Sequence, residues 1–317
     1  MTSLPTQAPV PSVSGRRPRS GEQWKIAAGG YTAEIAGVGA TLRALRYQGR
    51  DLVMPFEADT LRPGFSGSVL APWPNRIADG RYAFNGEQHQ LALTEPERHN
   101  ALHGLVAWLE FRPATVDGHS ITLEAEIVPQ AGYPYAVGLT VRYELSDDGL
   151  ATTLAAKNIG AEAAPFGAAA HPYLVAGSGR VNDWTLTLPA ASVLDVTPDR
   201  LLPGGTRDVS TFRGGAFDFR MGRPIGDVAV DHAFTELARN GDGMTTVEIR
   251  SDTGTGTGMT WDAGSPWVQI HTADGGGRRG LVVEPMTCPP DAFNSGIDLI
   301  VLERGESTSS SWRIFRI

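Results

Sequence analysis

Apolar and polar residues alternate along most of the chain. Between Ile121 and Val128, every second residue is apolar, and threonine or glutamate fills the positions between them. The segment from Val137 to Leu145 repeats the pattern. A period of two is typical of a strand with one buried face and one wet face, and the spacing of an amphipathic helix is almost absent. The pattern therefore predicts an all-β protein.

Turn residues separate the predicted strands. Ser146-Asp147-Asp148-Gly149 stands between two apolar runs and predicts an antiparallel hairpin. Asn85-Gly86 predicts a second hairpin between Tyr82 and Leu91, because both turn residues tolerate a positive φ. The glycine-rich stretch from Gly254 to Gly258 predicts a flexible loop tip. The 38 glycines and 22 prolines fit many short strands joined by tight turns.

The chain of 317 residues is interpreted as one domain preceded by a tail. Residues 1–20 are rich in proline, serine and threonine and contain three arginines, a composition that predicts disorder. No linker interrupts the rest, so residues 21–317 are predicted to form a single large antiparallel β-sandwich. A chain of this length can bury a sizeable core.

Charge and composition exclude several classes of protein. The net charge of −8, without a dense basic tract, gives no reason to bind nucleic acid or an anionic membrane. No apolar run has the length of a membrane span and no secretory signal is visible, so we expect a cytoplasmic protein. The single cysteine, Cys288, cannot form an internal disulfide and is interpreted as a small buried hydrophobe rather than a nucleophile.

Two separated segments carry candidates for proton transfer. His171 follows four small residues and precedes a proline that favours an extended backbone, which suits an imidazole facing a cavity, although a hydrogen-bonded core histidine fits equally well. Glu284 follows the apolar run Leu281-Val282-Val283 and precedes Pro285. A carboxylate in a buried strand is costly unless it is paired or used, and burial raises its pKa toward that of a general base.

Other residues could bind a ligand. Arg76, in a proline-rich segment with Asn75, could hold two sugar oxygens or form an ion pair with Glu284. His103 and Asp231 fit ligand binding, but a core histidine and a turn aspartate explain them as well. Three tryptophans could stack on a pyranose ring or fill the core; they are Trp73, Trp108 and Trp267.

Familiar motifs of other enzyme classes are absent from the sequence. It contains no G-x-S-x-G elbow, no Walker loop and no dinucleotide-binding glycine motif. The seven histidines are scattered without H-x-H or H-E-x-x-H spacing, so no metal site is predicted.

Five segments, in this order and spacing, resemble the aldose 1-epimerase (galactose mutarotase) family. They are Asn75-Arg76-Ile77 with Gly80-Arg81-Tyr82, Asn100-Ala101-Leu102-His103-Gly104, His171-Pro172-Tyr173, Asp231-His232-Ala233-Phe234 and Glu284-Pro285. The resemblance covers residue 22 to the C-terminus and implies the mutarotase-like supersandwich, which agrees with the period of two.

The resemblance also implies a reaction, the interconversion of α and β anomers of a free aldose. Glu284 would be the base on the anomeric hydroxyl and His171 the acid at the ring oxygen. The sugar would be held by Arg76, His103 and Asp231, with Asn75 beside them. No metal or organic cofactor is implied, and the expected partner is a monosaccharide, a hexose or a related aldose. The chain is expected to act as a monomer or a homodimer.

The sequence departs from the family pattern around the expected site. Met286 stands where many members have glutamine, and Ala169-Ala170 where many have Thr-Asn. His271-Thr272-Ala273-Asp274 replaces the usual Tyr-Thr-Gly-Asn. These changes leave the natural sugar open. Two other functions also stay open: a non-catalytic carbohydrate-binding protein on the same scaffold, and a glycoside hydrolase that uses Glu284 and Asp231 as paired carboxylates.

Overall fold

A computed structural model describes residues 16–317 of the chain. The predicted disorder of residues 1–20 therefore falls mostly outside the described residues. At the end of that segment, the buried Ser20 donates its hydroxyl to the Ala58 carbonyl at 2.6 Å. The regular secondary structure of residues 16–317 is mostly β-strand, with one short α-helix, α1 (Ala292–Ser295), as the alternating pattern predicts.

The described strands are short and follow one another closely. In chain order they are β1 (Gln23–Ala28), β2 (Tyr31–Ala36), β3 (Thr41–Tyr47), β4 (Arg50–Asp51), β5 (Val69–Leu70), β6 (Arg76–Ala78), β7 (Arg81–Phe84), β8 (Glu87–Gln90), β9 (Asn100–Leu102), β10 (Arg112–Val116), β11 (Ser120–Ile127), β12 (Val137–Ser146), β13 (Gly149–Asn158), β14 (Ala164–Phe166), β15 (Ala169–Ala170), β16 (Tyr173–Leu174), β17 (Thr185–Thr187), β18 (Ala190–Val196), β19 (Pro203–Asp208), β20 (Arg223–Pro224), β21 (Asp231–Leu237), β22 (Thr245–Arg250), β23 (Gly256–Trp261), β24 (Trp267–His271), β25 (Leu281–Met286), β26 (Ile300–Leu302) and β27 (Ser307–Arg316). Short 3-10 helices span Pro96–Arg98, Val106–Trp108, Val181–Asp183, Phe212–Gly215 and Asp274–Gly276.

Two large antiparallel sheets dominate the architecture. One has nine strands in the order β10-β11-β12-β13-β27-β23-β22-β17-β20. The other has the order β19-β18-β21-β24-β25-β15-β5, with β16 also paired to β25. A four-stranded sheet, β1 to β4, and the pairs β6-β9, β7-β8 and β14-β26 complete the fold. We refer to the two large sheets as the nine-stranded and the eight-stranded sheet.

The sheets share one hydrophobic core. Ile35 of the four-stranded sheet, Val141 of the nine-stranded sheet and Ile270 of the eight-stranded sheet are fully buried in the same cluster. Every second residue of β12 is buried, and the residues between them are partly or fully exposed, as the alternation in the sequence predicts. The predicted β-sandwich class is therefore confirmed. Within residues 16–317, no helix is long and apolar enough to cross a membrane.

Both predicted hairpins form. Ser146 pairs with Gly149, so Asp147 and Asp148 make a two-residue turn between β12 and β13. Phe84 pairs with Glu87 across Asn85-Gly86, whose φ angles of 50° and 84° are the positive values that such a turn needs. The second strand ends at Gln90, earlier than the predicted pairing with Leu91 requires.

The prediction of a flexible loop tip from Gly254 to Gly258 is wrong for most of this segment. Gly256 to Gly258 begin the interior strand β23, where all three residues are buried. The ring of Phe315, on the neighbouring strand β27, lies so close to Gly258 that a Cβ atom would be 2.3 Å from it. Glycine is needed there for a close approach rather than for flexibility.

Candidate active site

Adjacent strands of the eight-stranded sheet and the segment after β15 carry five polar residues. Glu284 lies on β25 and pairs in register with Gln269 of β24. Asp231, the first residue of β21, pairs with His271 at the end of β24. His171 follows β15, which also borders β25. Sheet order therefore brings segments separated by more than 100 residues to one place.

The pair β6-β9 supplies the other predicted residues. Arg76 pairs with Leu102, and His103 follows directly after β9. The backbone of Asn75 donates to His103 Nδ1 at 3.2 Å and accepts the His103 amide at 2.8 Å. Because Nδ1 accepts a hydrogen bond, a neutral His103 carries its proton on Nε2. Asn75 and His103 both have positive φ angles, 55° and 60°, which non-glycine residues seldom adopt. This unusual backbone conformation sets the direction of both side chains.

His171 and Glu284 meet in a buried contact. His171 Nε2 lies 3.3 Å from Glu284 Oε1, and both side chains are almost fully shielded from solvent. Within residues 16–317, His171 Nδ1 and Glu284 Oε2 find no hydrogen-bond partner. Buried polar atoms usually have partners, so these two atoms mark a place where a ligand can bind.

Burial dominates the acid-base properties of this pair. It raises the pKa of Glu284 well above its ordinary value, and the nearby Asp231 carboxylate adds to the effect while Arg76 opposes it. Burial also lowers the pKa of His171 to about 3. The pKa of His103 is lowered well below its usual value, first by burial, with the charge of Arg76 adding to the effect. Both imidazoles are therefore neutral at pH 7.

Arg76 is held by a glutamate that the sequence analysis missed. Its Nε and Nη2 atoms donate to the two oxygens of Glu95 at 2.8 and 2.9 Å. Arg76 Nη2 also lies 3.8 Å from Asp231 Oδ2. The sequence leaves open an ion pair between Arg76 and Glu284. The structure shows a buried ion pair between Arg76 and Glu95 instead. Nothing in the sequence around Glu95 indicates which arginine it would meet.

Gln269 is a second residue that the sequence analysis did not single out. Its Nε2 donates to Asp231 Oδ1 at 2.6 Å, and its buried Oε1 has no partner among the described residues. The available signal was alternation, since Gln269 and His271 form the polar face of β24 opposite Val268 and Ile270. That signal predicted a strand face but not a site.

Aromatic rings border the two histidines. The Phe65 ring lies 4.7 Å from that of His103 and 6.1 Å from that of His171, with Phe65 at a φ of 58°. Trp108 is 53% exposed and its ring is covered on one face by the Arg62 guanidinium at 4.5 Å. Trp73 and Trp267 are buried in the core, so only Trp108 of the three tryptophans named above is open to a sugar.

The departures from the family pattern lie close to this site. Met286 is fully buried and packs with Trp267 and Ala169 in a small apolar cluster that Phe65 also contacts. His271 Nδ1 is a buried atom 3.8 Å from Asp231 Oδ1, while the rest of the His271 side chain is partly exposed. Apolar packing and an imidazole thus occupy positions where many family members have amide or phenol groups.

Three buried side chains are grouped in the manner of metal ligands. Donor atoms of His103, His171 and Glu284 all lie within 4.8 Å of one another, and two imidazoles and a carboxylate are a set that Zn²⁺ accepts. However, His103 Nδ1 accepts the Asn75 amide and its Nε2 carries the proton, so His103 has no free lone pair for a metal ion. His171 and Glu284 are the two residues that proton transfer would use.

Comparisons with known proteins agree with this architecture. A sequence model of the family described as aldose 1-epimerase matches residues 22–314. The YihR protein of Escherichia coli K12, described as uncharacterized, is 36% identical over 288 residues, which cover 90% of this chain and 91% of YihR. Human galactose mutarotase is 28% identical over 232 residues, 68% of this chain and 66% of the human protein.

Solved structures show the same fold. A GalM/aldose epimerase homologue from C. elegans superposes with a TM-score of 0.82 at 19% identity, over 93% of this chain and 98% of that protein. Galactose 1-epimerase from Lactobacillus acidophilus gives a TM-score of 0.77 at 20% identity, over 99% of both chains. With a family match over most of its length and a mutarotase-like sandwich, this chain belongs to the aldose 1-epimerase family.

Proposed function

We propose that the protein is a mutarotase that interconverts the α and β anomers of a free aldose. The observation that carries the proposal is the buried contact of 3.3 Å between His171 and Glu284, each with an unpartnered polar atom. The activity named for two relatives, the human galactose mutarotase and the Lactobacillus galactose 1-epimerase, supports it.

Opening a cyclic hemiacetal requires two proton transfers at one edge of the ring. The anomeric hydroxyl loses a proton while the ring oxygen gains one. In the proposal, Glu284 accepts the first proton and His171 donates the second. Rotation about the C1–C2 bond then exposes the other face of the aldehyde, and ring closure reverses both transfers.

The pKa directions fit the second half of this cycle. Burial favours the uncharged forms of Glu284 and His171, so the pair holds its one proton on the carboxyl group. This is the state that ring opening produces, and from it Glu284 can return a proton to the aldehyde oxygen as the ring closes. A carboxylate with an imidazolium has the same total charge and starts the cycle from the cyclic sugar.

Sugar hydroxyls need donors and acceptors around this pair. In the proposal, Arg76, His103 and Asp231 hold the hydroxyls, and Asn75 orients His103 through its backbone. We add Gln269, because its unpartnered Oε1 can accept a hydroxyl while its amide remains on Asp231. His271 and Met286 set the preference among hexoses and related aldoses, because they change the polarity next to these groups.

Polarimetry tests the proposal directly. Freshly dissolved α-D-glucose and α-D-galactose are followed toward equilibrium with wild-type protein, with Glu284→Gln and with His171→Asn. We expect faster mutarotation with wild type and loss of the acceleration in both variants. Circular dichroism confirms that the variants are folded.

Some results of this experiment would contradict the proposed activity and identify another function. If no sugar in a panel of neutral, modified and acidic aldoses mutarotates faster with wild type, the proposed activity is wrong. Calorimetric binding of one of those sugars would then identify a carbohydrate-binding protein on the same scaffold. Release of reducing sugar from a glycoside would identify the hydrolase instead.

A further inference from the structure

Glu95 is bound so completely that its position has little freedom. Both of its oxygens bind Arg76, Oε2 also accepts from Asn100 Nδ2 at 3.0 Å, and Oε1 lies 3.3 Å from Arg98 Nη1. The side chain is 5% exposed. Paired two-point bonds between a guanidinium and a carboxylate are short and directional, so they fix the plane of the arginine group.

The segment that carries Glu95 is itself anchored. The Glu95 amide donates to the Asn100 carbonyl at 3.0 Å, and the Asn100 amide donates back to the Glu95 carbonyl at 3.2 Å. Arg200 Nε donates to the Arg98 carbonyl at 3.0 Å, and Asn100 Nδ2 donates to the Arg200 carbonyl at the same distance. Glu95 is therefore a fixed support for Arg76 rather than a mobile surface carboxylate.

Glu95 decides which edge of Arg76 remains available. It binds the edge formed by Nε and Nη2, which leaves the end formed by Nη1 and Nη2. At that end Nη1 contacts Asn75 Oδ1 at 3.3 Å, and Nη2 lies 3.8 Å from Asp231 Oδ2. These are long contacts, so the N–H groups at this end can exchange them for sugar hydroxyls.

Glu95 also offsets a charge beside the proposed base. Arg76 acts electrostatically on Glu284, where its charge opposes the rise in pKa that burial causes. The charged and titratable groups around this contact are Arg98 beside Glu95, and Asp231, Glu284, His103, His171 and His271 around the pocket. Without Glu95, the full charge of Arg76 would be balanced only by Asp231 and Glu284.

We propose that Glu95 is a positioning residue: it turns the free end of the Arg76 guanidinium toward the sugar and neutralises enough of its charge to leave Glu284 a usable base. This inference rests on the proposed function, because it assigns Glu95 a part in the same reaction. Glu95 acts only through Arg76 and need not contact the substrate.

Two variants separate the charge of Glu95 from its shape. Glu95→Gln keeps the size and removes the charge. We expect kcat/KM to fall roughly tenfold to a hundredfold, mainly through KM, because Arg76 loses a charged hydrogen-bond partner. The basic limb of the pH profile of kcat/KM, where the proton held on Glu284 is lost, should move to lower pH, because the unmasked Arg76 lowers the pKa of Glu284.

Glu95→Asp keeps the charge and shortens the reach. Its basic limb should stay at the wild-type pH while KM rises, because only the placement of Arg76 is disturbed. The control is Glu248→Gln on the nine-stranded sheet, which removes a carboxylate whose Oε2 accepts from both Nε and Nη2 of Arg250. It should leave both KM and the pH profile unchanged.

The outcomes are distinguishable. A Glu95→Gln protein with wild-type KM and pH profile but a lower Tm would assign Glu95 a purely structural role and overturn the inference. Should Glu95→Gln not fold, Glu95→Asp decides, since an unchanged KM overturns the inference and a raised KM with an unmoved basic limb supports it. Wild-type protein that accelerates no aldose overturns the proposed function itself, and with it the role of Glu95, before any variant is measured.

Discussion

The two large sheets bury different kinds of side chain. Within residues 16–317, the buried polar residues on strands of the nine-stranded sheet are uncharged, and they are Ser120, Thr152, Asn158, Thr245, Thr257 and Ser310. The eight-stranded sheet and the segments beside it bury His171, His232 and Glu284, together with Arg76 of β6 and Glu95 of the adjoining loop. Burying an ionisable group costs several kcal/mol unless it is well paired. One sheet is thus built for stability, while the other tolerates this cost where the proposed chemistry takes place.

The largest expected effect is a loss of activity without a loss of stability. Glu284→Gln should lower kcat by roughly a hundredfold to ten-thousandfold, because the general base is lost. Its free energy of unfolding at pH 7 should be no lower than that of wild type, because burial already disfavours the charged form of Glu284. Polarimetry and urea unfolding measure the two quantities. If Glu284→Gln lowered both kcat and the free energy of unfolding, the proposed difference between the two sheets would be contradicted.

The opposite result is expected in the nine-stranded sheet. Leu123 of β11 is fully buried, and Leu123→Ala should lower the free energy of unfolding by about 2–5 kcal/mol through lost contacts and a cavity. The kcat of the folded protein should stay within about twofold of wild type, since a single-residue cavity relaxes mostly its immediate surroundings. A large fall in kcat at temperatures well below Tm would show that packing in the nine-stranded sheet affects the candidate active site.

Two buried histidines in or beside the eight-stranded sheet should make the stability of the protein depend on pH. Burial lowers the pKa of His171 to about 3 and that of His232 to about 4. The unfolded chain takes up protons below its histidine pKa of about 6.5 while the folded chain does not, so stability falls with pH from about 6.5 toward those values. Each histidine contributes about 1.4 kcal/mol per pH unit to this slope.

Replacing either histidine should therefore flatten the slope. His171→Asn and His232→Asn are compared with wild type by urea unfolding between pH 7 and pH 4.5. We expect a similar change of slope in both, but loss of mutarotation only in His171→Asn. Glu284 contributes with the opposite sign, because its raised pKa makes stability fall as pH rises from about 4.5. An unchanged slope in both variants would contradict the assignment of neutral buried imidazoles.

The smallest effect is expected at Asp231. Its carboxylate helps to raise the pKa of Glu284, so Asp231→Asn should move the basic limb of kcat/KM slightly to lower pH. KM should rise because Gln269 loses a charged acceptor at 2.6 Å. The pH profile of initial rates checks both, and a basic limb that moved upward would show that Asp231 does not act electrostatically on Glu284.

Local patterns in the sequence were sufficient to predict the strands and their turns. The period of two between Val137 and Leu145 reappears as β12, and Asn85-Gly86 makes the turn that it predicts. Both depend on neighbours in sequence, because strand pleating and turn geometry are set by adjacent backbone dihedrals. The reading of Gly254 to Gly258 failed because Phe315, which requires glycine at position 258, comes from a distant part of the chain.

The sequence alone determined the all-β class, and motif order indicated the family and six candidate residues. Only the tertiary structure decided that Glu284 and His171 stand 3.3 Å apart, that Glu95 holds Arg76, and that Gln269 keeps an unpartnered oxygen. These facts depend on the order β21-β24-β25-β15 and on packing between segments far apart in sequence. Alternation records which face of a strand is buried, but it carries no information about which strand lies beside it, and the chemistry of the site depends on that neighbour.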